Sequence, residues 1–560
     1  MRFPRVFRAL SLVLLLAQSL AAAPGDLDSS FGSGGKVTTA IGGTSFGNGY
    51  DSVDAMAVQP DGNIVAAGST NDDGVRKFVV ARYLPDGTLD VSFGGTGVVK
   101  TEFSGPAFGY AVCLQHDGRI IVGGSANGNF ALARYTSAGV LDTSFGSGTG
   151  MVTTTDFHFP SSSDAGIYSM AVQSDGKIVA AGQSRDGNNR HWITVTRYLE
   201  NGTLDTTFDN DGRAISAFGH GGTFGRAVAI QNDGAIVVAG YGWNGLSGYN
   251  DDVVVVRFTS SGILDTSFNG GVVNRDLIMN GGDRGLGIAL QNDGKITVAC
   301  DVSSYALCLL RLLPTGLLDT SFNGTGMVVT PVPAGNAVAT CVQIQADGKI
   351  LAGGRGINGG QNDFVLARYS ASGVLDTGFA SGGIRLLDFG GYDSAAAMAL
   401  QGDGKVLLAG VAMTSNGDFA LARFEGGPDT DADADGLLDQ WEYNHWRTTA
   451  GHGPQDDHDK DGYGELLEEA LGLNPNSPDA GGHPSVTHEG GHLTMTIHKQ
   501  PGVTYVVQTA GTLISGQPDS FSSASTTVLI DSTTTLKVRD SVLASGGTRR
   551  FIRAQVTAAP

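Results

Sequence analysis

The chain has 560 residues, 85 of them glycine, with 41% hydrophobic and 16% charged residues. That length exceeds the size at which a single core stops growing, so several modules or a repeat array are required. The apolar content excludes a disordered chain, glycine abundance suits tight hairpins better than helices, and a formal net charge of −20 argues against nucleic acid or an anionic membrane as partner.

At the N-terminus, Arg2, Arg5 and Arg8 precede an apolar run from Ala9 to Leu16 and small residues at Ser19 and Ala21 to Ala23. This is the order of a secretory signal peptide over residues 1–23. No later segment reaches the ~18 apolar residues of a membrane span. The mature chain is therefore expected outside the cytoplasm, secreted or at the cell surface, without a membrane span and as a monomer. Four cysteines, Cys113, Cys300, Cys308 and Cys341, are too few for a disulfide scaffold. Cys300 and Cys308 fall on neighbouring predicted strands, where either a disulfide or two small buried hydrophobes fits.

From residue 24 the chain repeats itself. An L-D-x-[ST]-F signature places its Asp at Asp28, Asp90, Asp142, Asp205, Asp265, Asp319 and Asp376, with Gly378 replacing the Ser/Thr in the last copy. A Q-x-D-G-x-[IV] signature places its glycine at Gly62, Gly118, Gly176, Gly234, Gly294, Gly348 and Gly404. A third marker is Arg82, Arg134, Arg197, Arg257, Arg311, Arg368 and Arg423, each before Tyr, Phe or Leu. Each unit reads as four strands. In the third, Ser169 to Gln173 turns at Asp175-Gly176 into Lys177 to Ala181; Trp192 to Tyr198 follows, and after Asn201-Gly202 and the Leu204 to Phe208 corner, Arg213 to Ser216 is the fourth. No window keeps a helical period.

Seven such units predict an all-β fold, a seven-bladed β-propeller over residues 24–424. The array opens with a corner and a lone strand, Leu27 to Ala40, and ends on a third strand, Phe419 to Phe424, so the N-terminal strand is expected to complete the last blade. The Q-x-D-G-K-I, A-R-Y and L-D-x-S-F-G markers resemble the bacterial delta-60 repeat family over residues 25–424, and more distantly NHL-type propellers. That resemblance implies the propeller, not an activity.

A residue present in every blade solves a problem every blade has, so the repeated Arg and corner Asp are read as a carboxylate bridge or a capped turn. Departures from the repeat are the better candidates for binding. They are His158 in the insertion from Asp156 to Ser163, Arg190-His191-Trp192, and Tyr241-Gly242-Trp243-Asn244, loop residues suited to a glycan or peptide. Only four histidines lie in the propeller, which argues against a metal-centred lyase or oxidase.

Residues 425–482 form a linker with fifteen acidic residues against Arg447 and Lys460. Two twelve-residue calcium loops fit within it. The first uses Asp431, Asp433, Asp435, the Leu437 carbonyl, Asp439 and Glu442; the second uses Asp457, Asp459, Asp461, the Tyr463 carbonyl, Glu465 and Glu468. Alternate side chains of a tightly wound loop converge on one hard cation, and Gly436 and Gly462 permit the turn. Gly426, Gly427 and Pro428 exclude an incoming helix, and a short helix is expected from Glu465 to Leu471. The segment resembles dockerin-like and thrombospondin type 3-like linkers, which implies structural Ca2+.

Residues 483–560 complete the chain as a small β-sandwich-like domain, with strands at Leu493 to His498, Thr504 to Gln508, Thr527 to Ile530, Thr535 to Val538 and Phe551 to Val556. His488-Glu489-Gly490-Gly491-His492 spells a zinc-peptidase motif, but that chemistry needs a helix, against which each glycine costs about 1 kcal/mol; a hairpin is expected instead. The functional expectation is a non-catalytic binding or scaffolding propeller with an extracellular glycan or protein ligand. The alternatives are a lyase or hydrolase at the central channel, or an envelope component.

Overall fold

The computed structural model describes residues 22–42, 51–71, 74–155, 164–216, 222–243, 251–278, 281–303, 306–333, 335–413, 417–427 and 437–449, the strands between 485 and 558, and residues 452, 456, 458, 459, 468, 475 and 476. The expected signal peptide up to Ala21, His158 with its insertion, and Asn244 lie outside them. No helix among the described residues is long and apolar enough to cross a membrane.

Seven four-stranded antiparallel sheets form the blades, over residues 52–101, 107–154, 166–216, 223–275, 284–330, 337–387 and 392–424 with 36–39. In the third, the strands are Gly166–Val172, Ile178–Arg185, His191–Tyr198 and Arg213–Ser216, close to the sequence expectation. The seventh is completed by Lys36–Thr39, which pairs with Gly417–Phe424 in the register Lys36↔Ala422 to Thr39↔Phe419. The molecule is thus a seven-bladed β-propeller closed by its own N-terminal strand.

Sequence explains why blades stack. Second and third strands such as Ile64–Thr70 and Lys77–Tyr83 are buried along their whole length, because each lies between two neighbouring blades rather than between core and water. Seven apolar clusters result, one per blade interface; the closing one joins Ile64, Val79 and Phe31 to Leu407 and Leu421. First strands alternate instead, as in Ala107–Leu114, since one face looks into the channel.

The three repeated markers meet in one clamp. In the second blade Arg134 donates through Nε to Asp142 Oδ2 (2.9 Å) and through Nη1 to Gln115 Oε1 (3.1 Å) and to the carbonyl of Glu200 in the next blade (2.6 Å). Its guanidinium lies 4.6 Å from the Phe145 ring centroid, while Ser144 donates its N–H and hydroxyl to Asp142 Oδ1. Phe145 in turn abuts Gly202, where an added Cβ would approach the ring to 2.6 Å. The Arg to next-blade carbonyl bond recurs in every blade: Arg423 pairs with Asp28 and donates to the Pro85 carbonyl of the first, so the clamp also spans the closure.

Behind the propeller, the helix Asp439–Trp446 follows the first acidic loop. Farther on, Ser485–Glu489, His492–His498, Thr535–Asp540 and Thr526–Asp531 form one sheet in that order, and Val503–Ala510 pairs with Phe551–Ala558.

Candidate functional site

Every first strand carries a β-bulge at the same position. The register breaks at Asp54, Tyr110, Tyr168, Arg226, Leu286, Thr340 and Ala396, and all seven residues are half-buried. A bulge re-aims the extra residue. In six of the blades a glycine stands opposite, as at Gly124, where a Cβ would lie 1.8 Å from the Phe108 carbonyl oxygen; in the fifth blade Cys300 takes that place. Where the surrounding sequence repeats, these positions vary, so the channel receives six kinds of side chain from seven blades, Tyr alone occurring twice.

The upper mouth, where the first strands begin, is chemically lopsided. Tyr110 stacks on Tyr168 (4.9 Å between centroids) and on Phe108 (6.0 Å), and Phe224 stacks on Tyr241 (4.8 Å). Arg226 joins the two groups, 4.0 Å from the Tyr168 centroid and 5.1 Å from that of Tyr241. It donates to Tyr241 Oη (2.8 Å) and Gln183 Oε1 (3.1 Å). Arg284 lies 5.0 Å from the Tyr241 centroid and pairs with Asp251 at 2.9 Å, and Arg76 lies 5.4 Å from that of Phe108. The result is a shelf of half-buried aromatic faces edged by guanidinium groups, spread over blades one to five.

Burial pushes the Asp54 carboxyl up to about 6, against the Ser52 hydroxyl and Arg76, which pull it down. Burial likewise raises the Tyr110 hydroxyl, with Tyr168 and Asp54 adding to the rise. Tyr168 is raised by burial too, opposed by Arg226.

The sequence candidates divide here. Tyr241 belongs to the shelf, and His191 packs on Phe224 (4.6 Å) while pairing with Asp164 (2.9 Å). Trp192 and Trp243 are half-buried nearby on the same strands. Arg190 is exposed in the turn before its strand, its N–H bonded to Asp186. Tyr110, Tyr168 and Arg226 were missed, because they sit inside strands rather than loops. The signal that locates them is the variable residue opposite a repeated second-strand glycine.

The lower mouth is covered by the helix Asp439–Trp446. Gln440 Oε1 accepts the Ala346 N–H (3.0 Å), Asn444 donates to the Leu400 carbonyl (3.4 Å), and Tyr443 to that of Leu290 (3.5 Å). On one side of the helix Trp441 and His445 line a cavity of about 290 Å³ with Val58, Leu114 and His116. On the other lies one of about 630 Å³, between Val172, Ile230, Leu290, Ile344 and Arg447.

Of the expected calcium ligands, Asp431, Asp433, Asp435, Asp457, Asp461, Tyr463 and Glu465 lie outside the described residues. Leu437, Glu442 and Glu468 are fully buried, Asp439 is nearly so, and Asp459 is half-buried. Asp439 and Glu442 occupy the first turn of the helix. Glu468 is helical; the rest of the helix expected from Glu465 to Leu471 lies outside the described residues. His488 and His492 stand on the two arms of a hairpin with Glu489↔His492 paired, so they do not share a helical face. Cys300 and Cys308 are register partners on adjacent strands, both buried and both free thiols.

Six stretches match the model described as a domain of unknown function (DUF5122) β-propeller: residues 59–93, 115–145, 173–208, 231–268, 291–322 and 345–379. Each runs from the Gln of the Q-x-D-G turn to the Phe of the following corner. The chain is a β-propeller repeat protein. Its seventh copy is split between the chain ends by the closure, which explains why six copies of the propeller match in sequence. No curated protein matches the chain. Among solved structures, it is similar to a protein of unknown function from Dyadobacter fermentans at 10% identity, covering 70% of this chain and 99% of that one with a TM-score of 0.38. A polysaccharide lyase described as an ulvan lyase is similar at 12% identity over 70% and 97% with a TM-score of 0.41. Sqt1 from Chaetomium thermophilum is similar at 11% over 68% and 97%, with a TM-score of 0.35. Likeness at this level does not extend to an activity.

Proposed function

We propose that this propeller is an exported binding protein whose upper channel mouth holds an acidic glycan. The observation that carries the reading is Arg226 held between the faces of Tyr168 and Tyr241. Sugar rings bury their apolar faces on aromatic ones, and guanidinium forks pair with carboxylate or sulfate in planar, directional geometry. Arg284 and Arg76 extend the same chemistry along the shelf. Calorimetry of the full chain against uronic and sulfated oligosaccharides tests it. Arg226→Ala and Tyr168→Ala should each weaken binding by tenfold or more, while neutral oligosaccharides bind weakly throughout; equal affinity of both variants and the parent would defeat the reading.

A second reading, a lyase or hydrolase at the same mouth, is favoured by one observation: a carboxyl raised to about 6 at Asp54, near the working pH expected of a general base. Product release from those oligosaccharides, lost in Asp54→Asn, would select it.

In the linker, calcium fits the donor set. The two loop-terminal carboxylates, Glu442 and Glu468, are both fully buried in a segment of strong negative charge, and buried carboxylates favour a cation. Asp431, Asp433, Asp435, Asp439 and Glu442, with the Leu437 carbonyl, would hold one ion; Asp457, Asp459, Asp461, Glu465 and Glu468, with the Tyr463 carbonyl, a second. The charge supplied would order the helix that covers the lower mouth. Export is tested by N-terminal sequencing of secreted chain, expected to begin near residue 24.

A further inference from the structure

The upper rim holds a second acidic constellation, remote from the linker. Asp363 begins the buried part of a third strand, Asp388 follows the fourth strand of the same blade, and Asp393 is the second residue of the first strand of the next. One carboxylate oxygen from each lies within 4.8 Å of the other two. Asp363 is 2% and Asp393 0% exposed. Asp393 Oδ2 accepts the Phe389 N–H (2.6 Å); its Oδ1 is buried with no partner in hydrogen-bond geometry, although the nearby Met413 N–H also acts to lower this carboxyl. Asn358 donates to Asp363 Oδ2 (2.7 Å), and Lys36 donates to the Asp388 carbonyl rather than to any of the three carboxylates.

The other blades supply controls at the same positions. Between the first and second blades the residues are Lys77, Glu102 and Ala107; there the Lys77 ammonium meets Glu102 at 2.6 Å, so a side chain provides the cation. Between the seventh and first they are Asp418, Ala40 and Asp51. With the middle acid gone, both Asp51 oxygens are satisfied, by the Thr70 hydroxyl (2.6 Å) and the N–H groups of Ile41 (3.1 Å) and Gly42 (2.7 Å). Between the fourth and fifth they are Asp252, Asp276 and Asp283, and Asp283, also 0% exposed, again has a buried Oδ1 without a hydrogen-bond partner. Among the described residues three carboxylates converge only at Asp363, Asp388 and Asp393; where acids are fewer, around Lys77 and Asp51, an ammonium or N–H and hydroxyl donors stand in place of a cation.

We propose that Asp363, Asp388 and Asp393 form a site for a divalent cation of the calcium class, stapling the sixth blade to the seventh. Oxygen-only donors select a hard cation, and water completes its shell on the Asp388 side, which is exposed. The staple sits at the rim opposite the arginine clamps.

The test uses the full chain carrying Asp431→Ala and Asp457→Ala, so that the linker loops contribute nothing. Calcium calorimetry on this background should show saturable binding, weakened at least tenfold by Asp388→Asn, an exposed position that leaves folding intact, and similarly by Asp363→Asn. Crystals grown with Mn2+ should show an anomalous peak about 2–2.6 Å from all three carboxylates. Unchanged titrations in both variants, or no peak at the cluster under saturating Mn2+, would overturn the proposal.

Discussion

At the scale of single residues, each conserved-looking feature of the repeat has a mechanical task. Arg134 is 3% exposed and its partners come from its own blade and the next, so removing it leaves the buried Asp142 with only the more exposed Arg119, at 3.1 Å, as counter-charge. Arg134→Ala should cost about 3–5 kcal/mol, measured by urea denaturation; Arg190→Ala, in an exposed turn, should cost less than about 0.5 kcal/mol. The corner acids also set acid stability. At Asp28, Asp90, Asp142, Asp205 and Asp319 burial alone would raise the carboxyl, but the neighbouring Ser or Thr and the Arg outweigh it and hold it below the usual range; at Asp265 the Ser267 hydroxyl is the largest influence, in the same direction. Their stabilisation is complete above the unfolded value of about 4 and is lost as pH falls through the lower folded values. Unfolding midpoints measured from pH 7 to pH 2 should therefore fall steeply below about pH 4. Asp54 behaves oppositely. Raised to about 6, it becomes charged as pH rises through that value, so affinity for an acidic glycan should decline there, and Asp54→Asn should remove that step from the binding profile.

At the scale of elements, the first-strand bulge is what turns a repeat into a site. Gly124→Ala would place a methyl group 1.8 Å from the Phe108 carbonyl, which the second blade can relieve only by shifting the strands around its bulge. We expect a marked drop in thermal midpoint together with loss of glycan binding, because Tyr110 would no longer face the channel. The helix Asp439–Trp446 illustrates the converse case of an element held mainly by its surroundings. At eight residues it is too short to be stable alone, and Trp441, which packs on Gly402, fixes it to the lower mouth. Trp441→Ala should raise hydrogen-exchange rates across the helix while leaving those of Ile178–Arg185, a central strand of the third blade, unchanged.

At the scale of the whole molecule, closure makes the seven interfaces interdependent. Lys36–Thr39 pairs with the last strand, Asp28 with Arg423, and Phe31 sits in the cluster between the seventh and first blades. A chain lacking residues 24–40 exposes an unpaired strand edge, a template for association. Size-exclusion chromatography should show self-association of that chain, and its thermal unfolding should broaden relative to the cooperative transition of the closed ring.

What sequence alone determined was whatever recurs, because seven copies of one hairpin and one corner specify the same local geometry each time: the blade, the Arg and Asp pairing and the strand that shuts the ring. His191 and Tyr241 were also legible, as departures from that pattern, although they were read as loop residues and the structure places both in strands. The shelf was not, since Tyr110, Tyr168 and Arg226 lie inside strands and are remote from each other along the chain; only the ring brings them together. The same holds for Asp363, Asp388 and Asp393, and for the helix over the lower mouth. A repeat encodes how one blade meets the next, whereas a site is assembled from positions where blades differ, and their distances are decided by how the closed ring orients each copy.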